Sequence, residues 1–297
     1  MRKIKYKIIV LLTHIFPEEL LTKIAYRLKM KKKLNLRNPS SFNEKLQWLK
    51  INWQRRVISD CADKLLVRDY VIKKNLKHTL IELYAVYKNV DDIDWKNLPE
   101  KYVIKTTNSC GTNIIVRDSK SIDIKSTKSL LKTWLSEDYG REHLEFQYSK
   151  IDPSIIIEEF IESDLPLPQD YKFFCFNGIP KFILCIDERD LGTGKKKKGF
   201  YNLEWEYLDY IDEKKSTVLK NAKRPENLDD MIQAAKILSE DFPFVRVDLY
   251  SEKGRVIFGE LTFTPMGGMA NYFKGDTDLE IGTYLELPQK KYKGYVR

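Results

Sequence analysis

Apolar and polar positions divide the chain into a helical head and a mixed body. The run Ile8–Phe16 is apolar, but far shorter than the ~20 residues that cross a bilayer. Pro17-Glu18-Glu19 follows where a cleaved leader would carry small residues, so neither a span nor a cleaved leader is expected. Leu20, Leu21, Ile24, Ala25 and Leu28 recur at helical spacing, with Lys23, Arg27 and Lys31 off that stripe. Ser41-Phe42-Asn43-Glu44 has the form of a capping box, and Phe42, Leu46, Leu49 and Trp53 then mark one helix face. A second helix is expected from about Asp63 to Asn75, and a polar loop over 91–100.

Beyond that loop strands dominate. Tyr102-Val103-Ile104 leads to Lys105, a small polar loop spans Thr106–Thr112, and Asn113–Val116 is a second strand. Residues 126–136 and Leu228–Glu240 read as helices, and Ile155–Ile157 as a short buried strand. Tyr171–Phe176 and Ile179–Ile186 flank Asn177-Gly178, a hairpin signal; Phe244–Tyr250 and Arg255–Phe263 form a last hairpin about 251–254. Helix and antiparallel strand alternate irregularly, so the fold class is α+β rather than doubly wound. No internal repeat is visible, and Lys195–Lys198 is the one low-complexity spot.

Charge changes the picture only at the head. The 297 residues carry a formal charge of +9. Eleven of the 52 basic residues and two of the 43 acidic ones fall in residues 1–37, and the 41 of each that remain cancel. A neutral body with a basic head does not describe a domain wrapped around nucleic acid. The head suits a helix on an anionic membrane surface, and equally a helix packed on the body with a solvated basic face. Cys61, Cys110, Cys175 and Cys185 form no C-x-x-C pair and neighbour no histidine cluster, which argues for reduced thiols rather than zinc.

Candidate chemistry concentrates in the last hairpin. With Val245, Val247 and Leu249 turned to the core, Arg246 and Asp248 share the opposite face, as Glu260 and Thr262 do on the return strand. A five-residue connection over 251–255 sets Arg246 opposite Glu260 and Asp248 one step diagonal, with neighbours roughly 5–8 Å apart. Two carboxylates so placed can share magnesium, and an arginine beside them can stabilise a transferring phosphoryl group. Taken alone, the same pattern describes an exposed polar face with one Arg–Glu pair. Lys105, directly before its small polar loop, can reach nucleotide phosphates while loop amides cradle them; an ordinary surface turn has the same composition. The exit from the 155–161 strand offers backbone to an adenine edge, and Asp170 and Lys172 share a face suited to a ribose hydroxyl and a phosphate. The Lys195–Lys198 run can clamp phosphates or an acidic sugar, but reads more simply as a solvated tip.

In this order, Tyr-Val-Ile-Lys105, the small-residue loop, Ile-Ile-Ile-Glu158-Glu159-Phe-Ile, Arg246-Val-Asp248, Glu260-Leu-Thr262 and Pro265-Met-Gly-Gly resemble the ATP-grasp fold. Ser41-Phe-Asn-Glu-Lys-Leu-Gln-Trp-Leu-Lys, Ala62-Asp-Lys and Asp170-Tyr-Lys-Phe-Phe-Cys-Phe-Asn-Gly are similar to a narrower group, the TupA-like proteins of teichuronopeptide biosynthesis. These belong to bacterial surface-polysaccharide clusters, and relatives are often labelled glycosyltransferases. The resemblance covers about residues 35–275 and implies two α+β subdomains clamping ATP, behind an N-terminal helical extension. The division expected is a basic head over 1–37, a helical region over 38–100, and an ATP-grasp domain over 101–297. Its lid lies at about 101–160 and its core at about 161–275.

The resemblance also implies roles. Lys105, with Ser109, Gly111 and Thr112 of its loop, contacts the nucleotide; Glu158, Glu159, Phe160 and Ile161 form the adenine hinge; Asp170 holds the ribose. Arg246 and Lys172 act on the transferring phosphoryl group, and Asp248 and Glu260 bind Mg²⁺. Thr262 stands where many relatives have asparagine, and the loop at 108–111 has fewer glycines than the family's. The activity implied is ATP-dependent ligation of a carboxylate to an amine through an acylphosphate, on a surface polysaccharide or its precursor. Its partners would be an acidic glycan and an amine or amino acid, and no nucleic acid. The alternatives are a glycosyltransferase of the same pathway and an inactive binding module. The location expected is cytoplasmic, at the inner face of the membrane.

Overall fold

The computed structural model describes residues 2–187 and 197–296. Its helices are α1 (Arg2–Ile15), α2 (Glu18–Met30), α3 (Phe42–Asn52), α4 (Arg56–Ala62), α5 (Val67–Lys73), α6 (Ile124–Ser136), α7 (Tyr139–His143), α8 (Leu228–Ser239) and α9 (Thr277–Thr283). Its strands are β1 (Trp53–Arg55), β2 (Leu83–Tyr87), β3 (Tyr102–Thr106), β4 (Asn113–Val116), β5 (Ile155–Glu159), β6 (Asp170–Phe176), β7 (Ile179–Asp187), β8 (Lys197–Tyr201), β9 (Tyr207–Leu208), β10 (Phe244–Glu252), β11 (Arg255–Thr262) and β12 (Tyr292–Val296).

Two antiparallel sheets dominate. The smaller runs β2-β5-β3-β4, so it begins upstream of residue 101. Tyr102, Ile104, Ile155 and Ile157 meet Leu131 of α6 in its own core. The larger runs β11-β10-β6-β7-β8-β9. A third, two-stranded parallel sheet joins β1 to β12, which ties the chain's end to the first helices.

The larger sheet has two unlike faces, and that difference creates the site. Val245, Val247 and Leu249 of β10 point with Phe173 and Cys175 of β6 toward Met231, Ala235 and Leu238 of α8, all of them buried. The other face begins apolar: Phe42 of α3 packs edge-on to Phe244 at 5.0 Å between ring centroids, beside Phe174 and Phe176. Two residues further along each strand it turns polar, at Arg246 and Asp248 on β10 and at Lys172 and Asp170 on β6. The expected capping box starts α3: Ser41 Oγ accepts from the Glu44 amide, and Glu44 accepts from that of Ser41, both at 3.3 Å. The Asn177-Gly178 hairpin forms as expected, while the second helix, expected from about Asp63 to Asn75, is the shorter α5, with α4 a separate helix that ends before Asp63.

Candidate active site

Local geometry in the β10–β11 hairpin decides which side chains meet. Lys253 and Gly254 take φ of 50° and 75°, the left-handed pair of a two-residue turn, and Glu252 pairs with Arg255. The register then shifts between Asp248 and Leu249, leaving Gly259 as the extra residue of a bulge. An unbroken ladder would set Glu260 against Val247, on the far face from Asp248. With the bulge, Asp248 faces Glu260 and Arg246 faces Thr262. The expected register, Arg246 against Glu260, is therefore corrected. The turn is tighter than five residues, which moves the ladder by one, and the bulge moves it by one more; the two shifts together restore the shared face.

Arg246 and Asp248 form the centre. Arg246 Nε donates to Asp248 Oδ1, and Nη2 to Oδ2, both at 2.6 Å. Nη2 also reaches Thr262 Oγ1 at 2.9 Å and Glu260 Oε1 at 3.3 Å. From β6, Lys172 Nζ donates to Asp248 Oδ2 and lies 3.4 Å from Asp170. Asp248 and Asp170 are each only 2% exposed. Burial pushes the Asp248 carboxyl up, but Arg246 and Lys172 outweigh it and hold the group below the usual carboxylate range. Burial likewise opposes the charge on Arg246, and Asp248 and Glu260 more than restore it.

These donors fit magnesium in kind: two carboxylates and a hydroxyl on one face are hard oxygen ligands. Among the described residues no group of three or more His, Cys, Asp or Glu could hold a metal, so the pair Asp248 and Glu260 would need oxygens from a nucleotide or water to complete a shell. The Arg246 guanidinium spans the point where these protein oxygens converge, so a cation already matches their charge.

On the smaller sheet Lys105 Nζ lies 2.8 Å from Glu158 Oε2, and Arg68 holds Oε1 of the same carboxylate at 3.2 Å. Arg68 also donates to the Ile81 carbonyl at 2.8 Å. The Glu159 amide is engaged by Glu82 O at 3.0 Å, so the backbone that leaves the sheet is that of Phe160 and Ile161. The Phe160 ring carries the Arg117 guanidinium 4.9 Å from its centroid. In the loop, the hydroxyls of Thr106, Ser109 and Thr112 bond one another at 2.6–3.0 Å. Gly111 has φ 75°, and a Cβ there would meet nothing within 4 Å. Cys110 is exposed at the loop tip, yet partial desolvation by its surroundings raises its thiol, and Glu260 adds to that shift while Arg246 opposes it, so the loop tip stands within electrostatic reach of the hairpin. The candidates thus gather into a Glu158 centre and an Asp248 centre, with the loop between them.

Four side chains escape a reading by motif chemistry. Lys64 donates to Thr106 O at 3.1 Å and to Ser109 O, clamping the loop from outside. Arg68 is the second cation on Glu158. Glu145 is buried and accepts from Thr264 Oγ1, which in turn accepts from Gln147 at 3.0 Å. Lys50 is 5% exposed, its Nζ has no hydrogen-bond partner among the described residues, and burial pushes it down to about 8. Lys50 and Lys64 stand inside the stretches 41–50 and 62–64 that carry the narrower resemblance, which is the one signal that could have found them. Of the lysine run, 195 and 196 lie outside the described residues; Lys198 Nζ stands 3.6 Å above the Tyr272 ring.

A family model described as TupA-like ATP-grasp matches residues 44–286. No curated protein matches. Among solved structures the chain is similar to the ATP complex of D-alanine–D-alanine ligase from Bacillus anthracis. Identity is 13% over 75% of this chain and 61% of that one, with a TM-score of 0.47. It is also similar to D-cycloserine synthetase, at 14% identity, 77% and 70% coverage and a TM-score of 0.42. Phosphoribosylamine–glycine ligase from Thermotoga maritima is similar at 12% identity, 69% and 48% coverage and a TM-score of 0.43. The chain spans less than two thirds of the length of the first of these.

Proposed function

The chain belongs to the TupA-like ATP-grasp family, with that family's α+β fold, and we propose that it is an ATP- and magnesium-dependent carboxylate–amine ligase. The observation that carries this reading is the Asp248 centre: two carboxylates, a guanidinium and an ammonium converge on one sheet face beside a small polar loop. Such a site does little covalent chemistry; it positions groups and neutralises charge.

In the proposed reaction a substrate carboxylate oxygen attacks the γ-phosphorus of ATP and ADP leaves. An amine nitrogen then attacks the acyl carbon, and phosphate departs with the carboxylate's oxygen. Lys105 and the Thr106–Thr112 loop hold the nucleotide phosphates, Phe160 and Ile161 offer the adenine edge, and Asp170 takes a ribose hydroxyl. Arg246 and Lys172 supply positive charge where the phosphoryl group moves. Magnesium held by Asp248 and Glu260 would screen the phosphate oxygens. The narrower family points to a uronic-acid-containing surface glycan or its precursor as the carboxylate.

Labelling tests the reaction directly. With a heavy-oxygen label in the carboxylate of a uronic-acid glycan, an amino-acid pool, ATP and magnesium, one labelled oxygen should appear in the released phosphate. ATP cleavage that leaves the label in the glycan would exclude an acylphosphate.

A further inference from the structure

The helical head is built inside out. On α2 the buried positions are Thr22 and Tyr26, 0% and 2% exposed, and Leu21 and Ala25 pack at the edge of the core. Leu20, Ile24 and Leu28, one turn apart along the opposite face, are 43%, 48% and 66% exposed. The same inversion holds on α1. Thr13 is buried, and Arg141 of α7 donates to its carbonyl and hydroxyl at 3.3 Å; Ile8, Leu11 and Ile15 on the opposite side are 53–61% exposed. Both helices are therefore anchored to the body by one face and turn aliphatic side chains outward on the other. Single exposed aliphatics need no explanation, but a stripe of three on each of two successive helices does.

We propose that this face docks on an anionic lipid bilayer. Charge selects that occupant over a second copy or an apolar partner. The whole formal excess of +9 lies in residues 1–37, and the remainder is neutral. Exposed Lys23 and Arg27 border the aliphatic stripe, and Lys31, Lys32 and Lys33 follow it. A second copy would bring like charge against like charge. Apolar residues flanked by cations are what a helix lying in a lipid interface presents, with aliphatics in the acyl boundary and cations among headgroups. No helix among the described residues is long and apolar enough to cross a membrane, so the contact proposed is with one leaflet. Docking also bears on the site, because Lys29 of α2 donates to the Met266 carbonyl, in the loop that follows β11. This inference does not depend on the reaction proposed above.

Vesicle co-sedimentation of the full chain tests it. The arms are vesicles of equal parts phosphatidylglycerol and phosphatidylcholine, and vesicles of phosphatidylcholine alone. The variants are Leu20→Gln/Ile24→Gln/Leu28→Gln and Lys31→Glu/Lys32→Glu/Lys33→Glu. All six positions are exposed, and unchanged thermal melts would verify folding. Binding should require the anionic lipid, weaken at least about tenfold in either variant, and fall with salt. Equal binding by wild type and the glutamine variant, or no binding by wild type at low salt, overturns the proposal. So does a dimer that the glutamine variant dissociates while vesicles are ignored.

Discussion

Replacing Asp248 with asparagine tests whether the site's charge is organised around that carboxylate. The change keeps the side chain's shape and removes the one anion that holds both Arg246 and Lys172. Stripping one partner from a buried ion pair costs about 3–5 kcal/mol, because the remaining charge stays buried and unpaired. Here Arg246 keeps Glu260 and Thr262, and Lys172 keeps Asp170 at 3.4 Å, so the loss should fall near the lower end. For a chain of 297 residues, about 3 kcal/mol is roughly a 5 °C drop in melting temperature.

Ligand linkage reads the second half of the same prediction. Mg-ATP at a hundred times its Kd should stabilise the wild type by about 2.7 kcal/mol, and omitting magnesium should remove most of that gain. In Asp248→Asn the magnesium-dependent increment should vanish. The pH dependence has a definite sign. A carboxyl held below its unfolded pKa contributes fully above the unfolded value and loses that contribution as pH falls through the folded one. The wild type should therefore lose stability more steeply than the variant in acid. A variant that melts with the wild type and keeps the full magnesium-dependent gain would refute the reasoning.

Lys64→Met should raise the KM for ATP about tenfold with little change in melting temperature, since it frees a loop rather than a core; Lys64→Arg should recover part of the loss. Gly199→Ala should destabilise by more than about 3 kcal/mol, seen as a lower urea midpoint, because its Cβ would come 1.9 Å from the Leu219 carbonyl oxygen. Lys50 titrates near 8 in the folded chain against 10.5 ordinarily, so the unfolded chain binds more protons between those values. Wild-type stability should gain about 3 kcal/mol from this group as pH rises through that window, and Lys50→Met should lack the gain in urea melts on either side of it.

How far the sequence reaches depends on how local the determining physics is. Ser41 and Glu44 lie three residues apart, so the cap they form on α3 is readable, and Asn177-Gly178 specifies its turn within two residues. Period-two alternation likewise places Val245, Val247 and Leu249 in the core and Arg246 and Asp248 opposite them. Partnership is another matter. Gly259 is no more bulge-prone by composition than other strand glycines, yet with the two-residue turn it sets Glu260 against Asp248 and Thr262 against Arg246. Arg68 and Glu158 are 90 residues apart, and Lys64 reaches Ser109 across 45; nothing in either segment announces the other.

The head shows the same limit in reverse. Periodicity finds a stripe but cannot say which side of a helix meets the body, because small polar Thr22 and aromatic Tyr26 fit a crowded interior as well as leucine does. The two readings of that stripe, packed on the body or laid on a membrane, looked exclusive while one face was assumed to serve both. With Thr13, Thr22 and Tyr26 facing inward and the aliphatics outward, the helices can do both at once. Under the two proposals made above, the +9 charge and the Asp248 site concern different ends of one reaction: the first would set where the protein meets its substrate, the second what it does there.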